Sequence, residues 1–347
     1  MINFDNDPLP GRTTLLNTSA ETPRVFHENT RWRLLSGCFW ILLMLAVWAG
    51  VVAYPTVRFG LVAGELQGLI KPAVAVALPI ALIGAPMVMI VAAGGLDLSV
   101  GSVVSVVAVV TAASLAKGAS EQTAIATGLA VAAGIGTVNA FLVAVGAHGA
   151  LVTLAVMTLL GNFAFLYTGQ AGAIPIADNV LKDLSATPYL LYGTIAFLLF
   201  SMFLVQCTRF GRRFPSEEPY QSSTQNAFFR GLPYVLSSVT AGVVGILMLS
   251  ARRAGIPSIG MNLELKVILA VVLGGACVGA GFGNVTGMVV GALVLAVSQI
   301  RMKQMDVPGL HAAVITSAAL LVATFLAHLY YKLIARMYAA RHPARPV

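Results

Sequence analysis

Apolar residues in this chain neither alternate nor keep to one helical face; they run in long blocks separated by short polar or glycine-rich joints. The blocks fall at 34–54, 72–93, 99–116, 122–146, 150–167, 188–206, 232–250, 264–280, 285–300 and 311–334. About 20 predominantly apolar residues carry a helix across the ~30 Å hydrocarbon core of a bilayer. The pattern predicts an all-α polytopic transmembrane bundle of about ten spans, forming one membrane domain over 34–334. The blocks at 99–116 and 285–300 are short and glycine-flanked, so they read as tilted, broken or re-entrant helices. Residues 1–33 are polar and carry Pro8, Pro10 and Pro23, which makes them a flexible cytoplasmic tail. They do not read as a signal peptide, because the apolar run behind them is too long and has no small-residue cleavage site after it. Residues 335–347 read as a basic cytoplasmic tail.

Composition sharpens the class. Of the 347 residues 58% are hydrophobic and 10% charged, against roughly 45–50% and ~25% in soluble domains. So few charges cannot cover a soluble globule. The formal charge of +8 does not mark a nucleic-acid binder, since the basic residues flank apolar runs and form no patch with interleaved aromatics. They set orientation instead. With both termini cytoplasmic, twelve of the 21 Lys and Arg fall inside, in three clusters: residues 12–33, 209–230 and 332–345. The expectation is a multi-pass inner-membrane protein in contact with lipid, with loop 207–231 in the cytoplasm. Loop 168–187, with Asp178, Lys182 and Asp183, then faces out.

A search for catalytic or metal-binding patterns finds none. There is no GxxxxGK[ST] phosphate loop, no HExxH and no CxxC, and the five His stand apart. Cys38, Cys207 and Cys277 lie in or beside apolar runs and read as small buried side chains. The expectation is a transporter subunit without an enzyme's centre, metal or resident cofactor. Energy for uphill movement would come from an ion gradient or from another subunit.

One acid stands at apparent membrane depth. Gly94-Gly95-Leu96-Asp97-Leu98-Ser99-Val100-Gly101-Ser102 joins two apolar blocks, and Asp97 is the only acid between Glu65 and Glu121. A charge there costs a few kcal/mol and is by default a functional residue. Gly94, Gly95 and Gly101 permit a sharp break and close backbone approach. Three readings of Asp97 stay open: a proton or sodium site, a contact for a hydroxylated substrate, or, with Ser99 and Ser102, a cap on the amides that open the next helix.

A second feature is a ladder of glycines, Gly275, Gly279, Gly283, Gly287 and Gly291, at the four-residue spacing that lets membrane helices pack backbone to backbone. Gly281-Phe282-Gly283-Asn284 is expected to interrupt it. Glycine-rich breaks thus occur once in each half of the chain, which is the pattern left by an internally repeated transporter.

At these residues the chain resembles a known family. GGLDLSVGS over 94–102 is similar to the GGIDLSVGS signature of the membrane subunits of ribose-type monosaccharide ABC importers. That family includes permeases for ribose, arabinose, xylose and autoinducer-2. Val138-Asn139-Ala140, Val152-Thr153-Leu154, Glu264-Leu265 and Ala270–Gly275 resemble further ordered motifs, and Gly281, Gly283, Gly287, Gly291 and Ala292 fall on a glycine pattern of the family. The similarity runs over about residues 60–330. It implies a helical permease that works with a second permease subunit, two cytoplasmic ATPase subunits that use ATP, and a periplasmic sugar-binding protein.

Thr208-Arg209-Phe210-Gly211-Arg212-Arg213 matches the family's T-x-x-G-R lead into the ATPase-coupling loop, and here Arg209, Gly211 and Arg212 carry the match. Residues 214–231 then depart from the family pattern. Phe228 and Phe229 read either as an apolar knob for an ATPase groove or as residues of the lipid interface. The leading expectation is an importer permease for a monosaccharide or related polyol. An ion-coupled transporter or channel, and a degenerate permease partner that does not transport, are the alternatives.

Overall fold

The computed structural model describes residues 63–169, 172–177, 180, 181, 184, 188–203, 224–276 and 283–341. Nine helices order the described chain: α1 Ala63–Ala92, α2 Val100–Ala116, α3 Glu121–Ala144, α4 Gly149–Tyr167, α5 Pro188–Met202, α6 Thr224–Arg252, α7 Leu263–Leu273, α8 Val285–Gln304 and α9 Gly309–Arg341. Each matches one expected apolar block; the block at 34–54 lies outside the described residues, so the total of ten spans stays open. Six of the helices are long and apolar enough to cross a membrane.

The boundaries differ from the sequence reading where helical propensity outruns hydropathy. Helix α1 begins at Ala63, running through Pro72, Pro79 and Pro86. These prolines are seven residues apart, so they share one face, and each removes a donor to the carbonyl four residues upstream. Helix α6 begins at Thr224, so the last part of the expected loop 207–231, with Phe228 and Phe229, is already helical. Helix α9 continues to Arg341, taking up residues expected in the C-terminal tail; the next breaker in the sequence is Pro343. Helix α7 ends at Leu273 instead of near 280, because Gly274 and Gly275 close it. At 11 residues it is about 16 Å long, half a bilayer core.

Helices α1 and α2 form the centre. Every residue of α1 from Ile80 to Ala92 is buried, as is α2 from Val100 to Val109. Helices α3, α6, α7 and α8 pack around them. Helices α4 and α9 lie at the periphery and turn outward Leu151, Leu159, Leu166, Leu310, Leu321 and Phe325, the reverse of a soluble protein. Small residues set the central seams. A Cβ built on Gly136 of α3 would lie 2.9 Å from the Val235 Cα of α6, and one on Gly242 of α6 would lie 2.6 Å from Ala132. Bare backbone on one side of each seam brings the axes together, which is how helices associate where solvent supplies no hydrophobic drive.

A short antiparallel pair, β1 (Ile174–Pro175) with β2 (Ala254–Gly255), ties the segment after α4 to the segment after α6. The Arg253 guanidinium donates to the Val180 carbonyl at 2.8 Å, and the Ser250 hydroxyl to the Leu181 carbonyl at 2.7 Å.

Candidate functional site

The break between α1 and α2 is built by glycine at its start and by polar straps along its length. Gly94 takes φ +83°, a left-handed conformation that glycine adopts without strain. Its amide donates to Val91 and that of Gly95 to Ile90, which closes α1 in a Schellman turn. Helix α7 closes the same way, ahead of the break expected over 279–287: Gly275 takes φ +87°, its amide donates to Val272 and that of Ala276 to Val271. The turns after α2, at Gly118, and after α3, at Gly146, repeat the same hydrogen-bond offsets, so this closure is the common helix stop of the chain.

Residues 95–99 then run without regular structure through the interior, held by side chains of α3 and α4 and by hydrogen bonds within the segment. Thr153 of α4 accepts from the Leu98 amide at 3.0 Å, and its hydroxyl reaches the Leu96 carbonyl at 3.2 Å and the Gly149 carbonyl at 2.9 Å. Asp97 is fully buried, and its Oδ1 accepts from the Ser99 amide at 2.9 Å and the Ser99 hydroxyl at 2.6 Å. Asn139 of α3, also fully buried, donates its side-chain amide to the Ser99 hydroxyl at 3.0 Å. The Ser102 hydroxyl turns back to the Ser99 carbonyl at 2.7 Å. Asp97 therefore holds the residue that leads into α2, not an amide inside the helix, and Ser99 makes no side-chain cap of its own.

Helix α6 closes the site. Tyr234 is buried, and its hydroxyl rests against the Cα positions of both Gly95 and Gly149. Ser237 lies beside the Asp97 carboxylate without a hydrogen bond of standard geometry. Asp97 Oδ2 and Asn139 Oδ1 have no protein partner among the described residues. Further along, Gly101 leaves room for the Glu264 carboxylate and the Gly260 carbonyl, and the Gly260 amide donates to the Ser105 hydroxyl at 3.1 Å.

Of the residues singled out in the sequence, Gly94, Gly95, Asp97, Ser99, Gly101, Ser102 and Asn139 come together here. The ladder glycines lie elsewhere and divide: Gly275 closes α7, Gly283 meets α1, and Gly287 and Gly291 pack against the end of α7. A Cβ on Gly291 would lie 2.5 Å from the Ala270 carbonyl, one on Gly287 would meet the Gly274 carbonyl, and one on Gly283 would meet Val88 of α1. Asn284 caps α8 by accepting from the Gly287 amide at 2.9 Å. Gly279, Arg209, Gly211 and Arg212 lie outside the described residues. Tyr234, Ser237 and Glu264 were not singled out as site residues. Glu264 stood inside a motif, whereas Tyr234 gave no local signal, since nothing near it in sequence reveals two glycines brought over its hydroxyl. No His, Cys, Asp and Glu cluster able to hold a metal exists among the described residues.

A bundle whose described residues form nine helices, six of them long and apolar enough to cross a membrane, is the build of a multi-pass membrane protein. The family described as branched-chain amino acid transport system / permease component matches residues 70–329, and the chain belongs to it. A probable ABC transporter permease protein, y4mJ of Sinorhizobium fredii, is 32% identical over 72% of this chain and 78% of its own length. The L-arabinose ABC transporter permease protein AraH of Azospirillum brasilense is 29% identical over 84% of this chain and 87% of its own. The ribose import permease protein RbsC of Escherichia coli is 26% identical over 71% and 81%. No solved structure matches the chain.

Proposed function

We propose that this chain is the inner-membrane permease subunit of an ABC importer for a monosaccharide or related polyol, driven by separate cytoplasmic ATPase subunits. A periplasmic sugar-binding protein delivers the substrate, and a second permease, identical or related, completes the pore. The relatives that carry arabinose and ribose permease names support the substrate class. The observation that carries the mechanism is the strapping of the Asp97 break to α6. That helix follows directly on loop 207–231, the expected ATPase contact, and its Tyr234 and Ser237 reach the break within about 20 Å of its first residue. Movement of the loop is thereby passed to an enclosed joint that links α1, α2, α3, α4 and α6.

The way the connections group supports which segments share a side of the membrane, while the Lys and Arg clusters are what assign that side. Segments expected outside, around β1 and β2, pair with each other. Segments expected inside, the turn before α4 and the start of α6, meet at Gly149 and Tyr234. An ion-driven relay finds only the phenol of Tyr234, and no second carboxylate or basic side chain, acting on Asp97 among the described residues.

The test is uptake by proteoliposomes that contain the chain with the ATPase and sugar-binding protein encoded beside it. Sugar accumulation that requires ATP and the binding protein is expected. Accumulation driven by a sodium or proton gradient without ATP would overturn the reading, as would a complex that hydrolyses ATP but moves no sugar.

A further inference from the structure

A cavity of about 210 Å³ lies in the other half of the bundle, between the first turns of α7, the last turns of α8 and the first two turns of α9. We propose that it is a subsite for a single hydroxyl-rich monosaccharide on the outer side of the permease, with Lys266 and Gln299 as its hydrogen-bond donors. The inference rests on the importer reading above and adds to it where the substrate first meets the chain.

The lining is rich in donors. Lys266 supplies an ammonium group, and Asn262 stands at the start of α7 with φ +62° and does not use its side chain to cap that helix. Gln299 of α8 carries a buried side-chain amide nitrogen with no hydrogen-bond partner among the described residues. A shielded donor left unpaired costs about 1–3 kcal/mol, so an acceptor brought into the cavity would recover that cost. Thr316 of α9 has already given its proton to the Ala312 carbonyl at 2.8 Å, which leaves its oxygen as an acceptor. No acid lines the cavity. Donors in excess, a few acceptors and an apolar wall at Leu265 suit a sugar ring, whose hydroxyls accept and donate and whose C–H face is apolar. The volume is below the ~300–1,000 Å³ of pockets for drug-sized ligands, which fits one ring and not two.

The position joins this cavity to the break. Glu264 and Lys266 lie two residues apart on α7, about 200° around the helix. Glu264 packs against Gly101, two residues beyond Ser99, while Lys266 lines the cavity. A ligand at Lys266 therefore bears on the same helical turn that braces the start of α2.

The test uses the full chain in its importer complex, with Cys38, Cys207 and Cys277 replaced by Ser and uptake verified. The transported sugar is first identified from D-ribose, L-arabinose and D-xylose; if none is transported, the importer reading fails and this subsite falls with it. Ser317→Cys is then labelled from the outer side with a membrane-impermeant charged thiosulfonate. Labelling is expected, and the transported sugar should slow it roughly three- to tenfold, the span of one or two hydrogen bonds. Lys266→Ala and Gln299→Ala should each remove that protection while Ser317→Cys still reacts. No labelling, labelling indifferent to the sugar, or labelling governed only by the anionic lipid content of the membrane would overturn the proposal.

Discussion

The hydroxyl of Tyr234 on α6 occupies the space that a side chain at Gly95 would need. The pairing is steric and mutual: glycine is required at 95 because a tyrosine reaches it from another helix. Gly95→Ala should therefore lower the melting temperature of the detergent-solubilised protein, by an overpacking cost of about 1–3 kcal/mol. Removing only the hydroxyl, in Tyr234→Phe, should make room for the methyl. The double variant should recover at least half of the lost stability. Additive losses in Gly95→Ala and Tyr234→Phe would show that the two do not share that space.

Asp97 holds Ser99 through one carboxylate oxygen. Asp97→Asn keeps an oxygen there and removes the charge, whereas Asp97→Ala leaves the buried Ser99 amide and hydroxyl without their acceptor. Alanine should cost about 1–3 kcal/mol of stability and asparagine clearly less. Uptake by Asp97→Asn then reports on the charge itself: retention of most transport means that the acid serves the joint. A protein as stable as wild type that transports nothing would instead make the charge part of the path.

Much of this joint is legible in the sequence. The blocks of apolar residues place nine helices, and Gly94-Gly95 before Asp97 marks a break at depth. Hydropathy could not set the helix ends, because it registers partition into lipid and not backbone hydrogen bonding. It stopped at Leu232 where α6 in fact begins at Thr224, and it ran past Gly274 and Gly275, which end α7 through a left-handed turn. The contacts of Tyr234, Thr153 and Asn139 with the break were hidden for a different reason. Each joins residues roughly 40 to 140 positions apart, and one sequence holds no record of which distant helices meet.

The Thr153 hydroxyl accepts from the Leu98 amide and lies within reach of the Leu96 carbonyl, with its one proton nearer the Gly149 carbonyl. Thr153→Val preserves shape and removes that group, so the buried Leu98 amide loses its acceptor. A loss of about 1–3 kcal/mol is expected. Thr153→Ser, which keeps the hydroxyl, should retain most of it. The comparison of melting temperatures separates the strap from simple packing, because valine fills the site better than serine does. Equal or greater stability of the valine variant would remove Thr153 from the joint.

Among the glycines of the described helices, some would drive a Cβ into backbone, some into a side chain and some into open space, and this sorts their tolerance to substitution. A Cβ on Gly287 would meet the Gly274 carbonyl, and one on Gly291 would lie 2.5 Å from the Ala270 carbonyl, so neither has room between α7 and α8. Gly161 of α4 and Gly134 of α3 have nothing within 4 Å. Backbone cannot yield as a flexible side chain can, so Gly287→Leu and Gly291→Leu should separate the two helices and reduce the yield of monodisperse protein several-fold in size-exclusion chromatography. Gly161→Leu and Gly134→Leu should leave it near wild type, since leucine is welcome on a lipid-facing helix and a better helix former than glycine. Loss of yield in the second pair alone would mean that those open faces are themselves packed in the assembled importer, by a second permease or another subunit. Tolerance at 287 and 291 would contradict the close approach of α7 and α8.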